Sequence, residues 1–148
     1  MEEIAIPFFA GKYTHTLDAK GRVTIPSKWR IPGGENTYLA LPNPNGYIDV
    51  YPPKMVARLE EIVASIKLSD HEKQTKAMEL FSQADSFGCD KQGRINLGES
   101  LRVHAGIGGK AVFTGSLRHF SIWSEERYDE RESSKPLNVF DAMSELGL

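Results

Sequence analysis

Asp18, Lys20, Gly21 and Arg22 fall within five residues in "LDAKGRVTIP", and Asp90, Gly93 and Arg94 repeat the spacing in "CDKQGRINLG". A carboxylate four residues from a guanidinium could serve acid–base chemistry or could clasp a tight turn. No histidine or second carboxylate stands at a fixed spacing beside both copies, so an acid–base role lacks a proton partner. Lys20 and Arg22 could neutralise phosphates, and an arginine can read guanine with two hydrogen bonds in the major groove. The alternative is that they are solvating charges on an exposed hairpin. Lys12, Thr14 and His15 lie on or beside the preceding strand and extend the candidate anion-binding set, to which Arg94 of the second copy is the weaker addition.

Other chemistries find little support. His15, His71, His104 and His119, with the single Cys89, show no HExxH or CxxC spacing, so no metal site is expected. "GIGGK", Gly106 to Lys110, lacks the spacing and the Ser/Thr of a phosphate-cradling loop and reads as a turn between strands. No GxSxG motif is present. We therefore expect no catalytic residues, no cofactor and no small-molecule substrate.

The elements that must hold the two charged turns come from an internal duplication. A displacement of 72 residues aligns Thr16–Pro52 with Gly88–Ser124 without an insertion. The identities are Asp18/Asp90, Gly21/Gly93, Arg22/Arg94, Arg30/Arg102 and Gly34/Gly106. Apolar positions keep the register, among them Val23/Ile95, Ile25/Leu97, Trp29/Leu101, Leu41/Phe113 and Val50/Ile122. Each unit predicts strand, charged turn, strand, helical turn, strand, strand. Tyr13, His15 and Leu17 alternate with Lys12, Thr14 and Thr16, the period of a half-buried strand. At the turn, Asp18 can cap the backbone and Gly21 can take a positive φ, as can Asp90 and Gly93 in the second copy. Arg30 and Arg102, each amid apolar neighbours, are expected to pack inside against acids.

Between the units the spacing of Met55, Leu59, Ile62 and Ile66 predicts a helix beginning after Pro53. Ser69 with Glu72 has capping-box spacing ahead of a second helix striped by Ala77, Leu80, Phe81 and Ala84. "SEERYDERE" predicts a short acidic helix. Leu137, Phe140, Met143 and Leu146 then recur every three residues, as a frayed terminus or as a docking helix.

Composition agrees with a globular chain: of 148 residues, 40% are apolar and 26% charged, enough to bury a core without disulfides. The first residues lack the basic start and long apolar run of a signal peptide, and we expect a soluble cytoplasmic protein. A net charge of -2 conceals an uneven distribution. Residues 11–30 hold five bases against one acid, and residues 119–148 hold three against seven, so a basic face can bind a polyanion although the whole is acidic.

"GKYTHTLDAKGRVTIPSKWR", the second "DKQGRINLGESLR", and "IDVYP" matched by "FSIWS" make the chain resemble the MraZ family of bacterial transcription regulators, within the AbrB-like superfamily, over about residues 11–128. The resemblance implies an α+β, β-rich fold: a swapped-hairpin, AbrB-like β-barrel pseudo-dimer built from two internal repeats. Its parts would be a first repeat at 11–53, a helical connector at 54–85, a second repeat at 86–128 and a C-terminal helical tail at 129–148, in one compact domain. It implies a nucleoid-associated, non-enzymatic regulator that binds promoter direct repeats of double-stranded DNA as a ring-shaped homo-oligomer. Such a regulator would repress the division and cell-wall gene cluster that includes its own operon. Carried over by position, the DNA contacts are Lys20 and Arg22, with Lys12, Thr14 and His15 nearby. Gln92 in place of the lysine and Gly98 in place of the proline set the second turn apart as a DNA reader. The competing reading is an antitoxin-like module whose tail binds a protein through Leu137, Phe140 and Met143.

Overall fold

The periods read from the sequence recur as strands, and the computed structural model, which describes residues 8–31 and 38–148, shows what each strand pairs with. The first repeat holds β1 (Lys12–Thr16), β2 (Arg22–Thr24), a 3-10 turn (Ser27–Trp29), β3 (Tyr38–Asn43) and β4 (Tyr47–Tyr51). After α1 (Pro53–Ala64) and α2 (His71–Phe81), the second repeat gives β5 (Asp85–Phe87), β6 (Arg94–Asn96), α3 (Glu99–Ala105), β7 (Lys110–Gly115) and β8 (Phe120–Ser124). The chain continues into α4 (Glu125–Ser134) and α5 (Val139–Glu145). Gly34 and the first seven residues, on which two of the sequence readings fell, lie outside the described residues.

The protein is α+β and β-rich, and its repeats are interleaved. Six strands form one antiparallel sheet in the order β1-β7-β8-β4-β3-β5, and β2 pairs with β6 in a separate ribbon; among the described residues these ladders do not close into a barrel. The strands flanking each charged turn do not pair with each other beyond it. Asp18 N–H donates to the Arg22 carbonyl at 2.8 Å and Gly21 N–H to the Asp18 carbonyl at 3.1 Å. Then β1 leaves for β7 and β2 for β6. The β-ribbon is therefore made of one strand from each repeat, not of the two arms of one hairpin. With three residue pairs it cannot hold itself together. It is held by burial of Val23, Ile25, Ile95 and Leu97, each at most 1% exposed and each worth about 1.5–3 kcal/mol.

The constant displacement of 72 breaks at one strand. β2/β6 and β4/β8 obey it, but the registers β1–β7 and β5–β3 superpose only when β7 is displaced by 73 from β3. Phe113 thus occupies the place of Ala40 rather than Leu41, and Ala111 that of Tyr38. All four are buried, so each repeat places one aromatic and one alanine at these two equivalent positions in opposite order, and total volume is kept. The β7–β8 connection is correspondingly tighter. Leu117 takes φ +74 there, a conformation worth about 1–2 kcal/mol against it. A two-bond bridge to Phe9 offsets that strain, with Phe9 N–H to Leu117 O at 2.8 Å and Leu117 N–H to Phe9 O at 2.7 Å.

Three local expectations are corrected. Asp70, not Ser69, caps α2, its Oδ1 accepting from Lys73 N–H at 3.1 Å. The second helical turn is a full helix, α3, ended by Gly106 at φ +67. Arg30 and Arg102 have no acidic partner among the described residues: each Nε donates to a backbone carbonyl, of Ile25 and Leu97 respectively, at 3.0 Å.

Candidate nucleic-acid interface

Each charged turn is tied by the carboxylate that opens it. Asp18 Oδ1 accepts from Lys20 N–H at 2.9 Å and from Arg22 N–H at 2.8 Å, and Oδ2 accepts from Arg22 Nε at 2.8 Å. Asp90 repeats the set with Gln92 N–H, Arg94 N–H and Arg94 Nε at 2.9, 2.8 and 2.7 Å. The Arg22 amide, then its side chain, then the Lys20 amide hold the Asp18 carboxyl below the usual carboxylate range; Asp90 is lowered in the same way by Arg94 and Gln92. Each arginine spends Nε on its own turn, and its terminal Nη groups have no hydrogen-bond partner among the described residues.

Two requirements fix the glycine. Gly21 and Gly93 both take φ +79, where a side chain is strained. Each also lies against the arginine of the opposite repeat: a Cβ on Gly21 would stand 3.0 Å from Arg102 Cζ, and one on Gly93 would overlap Arg30 Nε and Cζ. Arg30 and Arg102 therefore pack on the turn of the opposite repeat, which the backbone bonds from Ile25 N–H to Gly93 O at 2.8 Å and from Leu97 N–H to Gly21 O at 3.1 Å tie in place.

The ribbon brings the turns onto one surface. Val23 and Ile95 point inward, so Arg22, Thr24, Arg94 and Asn96 face outward, with Arg22 opposite Asn96 and Thr24 opposite Arg94. Arg22 and Arg94 are diagonal neighbours, roughly 7–8 Å apart at Cα, and each side chain is 31% exposed. Two guanidinium groups beside exposed Lys20 form a compact cationic face on a ribbon narrow enough for a DNA major groove. Period-two counting from Arg22 and Arg94 would have found Thr24 and Asn96; what was missing was that the two strands pair.

The remaining candidates do not all share this surface. Lys12 and Thr14 lie on the exposed face of β1, and Lys12 Nζ rests 5.0 Å from the centre of the Tyr128 ring, so α4 engages it. His15 lies on the opposite, inner face and meets Phe113 edge-on at 5.6 Å. Burial, then the charge of Arg30, lowers its pKa from the ordinary 6.5, so it is neutral at pH 7. Sequence reading also passed over Phe9, which is fully buried against Trp29 and Phe120, and Arg127, whose Nη1 donates to the Gly46 and His104 carbonyls at 2.8 and 2.7 Å and pins α4 to the sheet end.

One cluster resembles hydrolytic chemistry. Ser121 Oγ donates to Asp49 Oδ1 at 2.7 Å, with His119 Nε2 at 3.7 Å from the same oxygen. Serine and histidine both face the carboxylate, so the imidazole does not stand between them to accept the serine proton. With Asn43 Nδ2 donating to Oδ2 at 2.7 Å, the cluster satisfies a buried acid. Among the described residues no three His, Cys, Asp or Glu side chains converge as a metal site, and no helix is long and apolar enough to cross a membrane.

Known proteins bear on the same chain. The sequence pattern of the family described as "MraZ protein, putative antitoxin-like" matches it twice, over residues 8–78 and 80–146. A "Transcriptional regulator MraZ" of Lachnoclostridium phytofermentans is 35% identical over 142 residues, 95% of this chain and 98% of the relative. Proteins of the same name from Clostridium acetobutylicum and Limosilactobacillus reuteri are also 35% identical, covering 95% and 91% of this chain and 99% and 94% of their own.

Proposed function

The chain belongs to the MraZ family, and we propose that it is a sequence-specific, double-stranded-DNA-binding transcriptional regulator without enzymatic activity. The observation that carries this reading is the outward face of the β2–β6 ribbon, where Arg22 and Arg94 are diagonal neighbours whose Nη groups have no hydrogen-bond partner among the described residues, with Lys20 at one end. Guanidinium groups of that geometry suit bidentate contact with guanine or phosphate. The relatives' shared name, transcriptional regulator, supports the assignment. In this reading Lys20 and Arg22 are the principal contacts, Arg94 a second, and Lys12 and Thr14 outlying phosphate contacts; His15 contributes through packing.

The regulator acts as a nucleoid-associated ring of identical chains on promoter direct repeats of the division and cell-wall cluster, its own operon included, as a repressor. The two repeats with the connector and tail act as one domain. Several weakly bound ribbons on one ring engage several DNA repeats at high effective concentration. Supporting self-assembly, neither α1 nor α2 has a buried residue, and Ile62 and Met78 stand 57% and 64% exposed. Selection of bound duplexes from random DNA, with the mass of the oligomer measured alongside, tests the reading. Recovery of a repeated motif is the expected result, and recovery of no motif above input would overturn it.

The exposed tail favours a second reading: Leu137 and Phe140 are 70% and 80% exposed, as in a module that binds a protein. One stoichiometric heterologous partner, captured only when residues 129–148 are present and without DNA binding, would put that reading first.

A further inference from the structure

Resting on the DNA-binding reading above, we infer that the loop Gly108, Gly109, Lys110 of the second repeat is a further contact for the duplex. It takes one phosphate diester of the DNA backbone beside the first charged turn.

The loop and that turn are neighbours, although different repeats supply them. β1 runs against β7 with Thr16 opposite Lys110, and one step further Leu17 N–H donates to the Gly109 carbonyl at 2.7 Å. Asp18, the carboxylate that ties the turn, is the next residue. Across the ladder Lys110 Cα stands about 5 Å from that of Thr16. Lys20 lies four residues beyond Thr16, a reach of at most about 14 Å. The two lysines are therefore within about 19 Å of each other, a distance that roughly six base pairs span at about 3.4 Å each. One duplex can meet both.

Lys110 is exposed, and its register with Thr16 puts it on the face of β1 that also carries Lys12 and Thr14, at the end nearest the turn. No ion pair among the described residues includes it. At the corresponding positions of the first repeat, displaced by 73, stand Glu35, Asn36 and Thr37, with no base.

The two glycines have no reason in the fold. Gly21 and Gly93 are required by positive φ and by close packing, and Gly115 by the Phe9 backbone, which a Cβ would overlap. Gly108 and Gly109 take no positive φ, and a Cβ on either would meet nothing within 4 Å. A bare backbone at an open, exposed site lets another molecule come close. Neither amide donates to a backbone acceptor among the described residues. Backbone N–H groups and lysines are common donors to DNA phosphates. Two amides and one ammonium match a single phosphate diester, whereas the spacing and the Ser/Thr that would hold a nucleoside triphosphate are missing. Because the loop lies beyond the end of the β2–β6 ribbon, it meets the backbone flanking the groove and supplies affinity and register rather than base reading.

The test follows binding of the full-length protein by fluorescence anisotropy over a salt series. It uses a duplex recovered by selection and a second duplex with one base pair of the motif changed. Lys110→Gln is expected to flatten the slope of log affinity against log salt by about 0.9 and to weaken both duplexes by the same factor. The double variant Gly108→Ala, Gly109→Ala puts methyl groups into open space, so its urea midpoint should match wild type while its affinity falls several-fold. An unchanged slope in Lys110→Gln, with Arg22→Ala still weakening binding, would overturn the loop contact and leave the ribbon's role intact. Wild-type affinity in the double alanine variant would overturn the close approach of the backbone, and a loss confined to the selected duplex would overturn the assignment to phosphate. A wild type that binds neither duplex would overturn the DNA-binding reading itself.

Discussion

The two charged turns have the same internal geometry and different settings. Their clasps measure 2.8 and 2.7 Å, their glycines share φ +79, and their arginines are equally exposed. Even the charge is equal, because Lys91 stands one position ahead of the place that Lys20 holds in the first turn. The contrast drawn at Gln92 is thus a displaced lysine rather than a lost one. What differs is the neighbourhood: Pro26 and a three-residue 3-10 turn follow the first, Gly98 and a seven-residue helix the second. Asp, Gly and Arg recur because both turns use the same carboxylate clasp and the same positive-φ position, whereas the residues between them make no such contact through their side chains. Any functional asymmetry must therefore arise from where the lysine sits and from Lys12, Lys28 and Lys110, which only the first turn's surroundings supply.

The largest expected difference between the turns is in stability. Alanine at either glycine meets the left-handed penalty of about 1–2 kcal/mol. At Gly93 it also displaces Arg30 from its bond to the Ile25 carbonyl, adding about 1–2 kcal/mol for a lost hydrogen bond and crowding. Gly93→Ala should therefore lower urea-unfolding stability by about 2–4 kcal/mol and Gly21→Ala by about 1–2. Equal losses would show that Arg30 and Arg102 crowd the two turns alike. Next comes DNA affinity. Arg22→Ala should weaken binding to a selected duplex by roughly 10- to 100-fold, and Arg94→Ala by a few-fold, without changing the fold. Equal losses would make the ribbon a symmetric reader, and no loss from either would remove the ribbon from the interface.

Much of this could be read from the chain, and the failures share a physical cause. Period-two alternation identified Tyr13, Val23 and Ile95 as inward residues, and the Asp–Gly–Arg spacing identified both turns. Periodicity states which face of a strand is buried but not which strand lies beside it, so the ribbon pairing of Arg22 with Asn96 was hidden. The slip at Phe113 was hidden because the shifted register still places apolar residues at most positions. Arg30 and Arg102 looked like salt-bridge residues because apolar neighbours imply burial, while the carbonyls that satisfy them come from the backbone and leave no mark in the sequence. Phe9 lies ahead of β1, where no alternation marks it and its neighbour Phe8 is exposed, so its burial against Trp29 and Phe120 leaves no pattern in the sequence.

A smaller effect separates the turns by position of charge. If only the first turn meets phosphate through its lysine, Lys20→Gln should flatten the slope of log affinity against log salt by about 0.9, one counterion's worth. Lys91→Gln should leave the slope unchanged. The reverse exchange is sharper: Gln92→Lys puts an ammonium at the place equivalent to Lys20, and steepening by about 0.9 would show that the second turn also lies against the backbone of the duplex.

The smallest effect concerns the two faces of β1. Lys12 and Thr14 face solvent, whereas His15 is turned inward against Phe113, with burial and Arg30 lowering its pKa from 6.5. For a base whose folded pKa is depressed, the unfolded chain takes up the proton more readily. The stability His15 contributes is therefore complete above pH 6.5 and is lost as pH falls below it, toward the folded pKa. Between pH 8 and pH 7 the imidazole stays neutral and brings no charge to DNA, so His15→Gln should leave the salt slope unchanged across that window. An imidazole NMR titration should place its midpoint below 6.5. A midpoint above that value would mean that His15 is stabilised as a cation, as a phosphate-facing residue on the outer side of the strand would be.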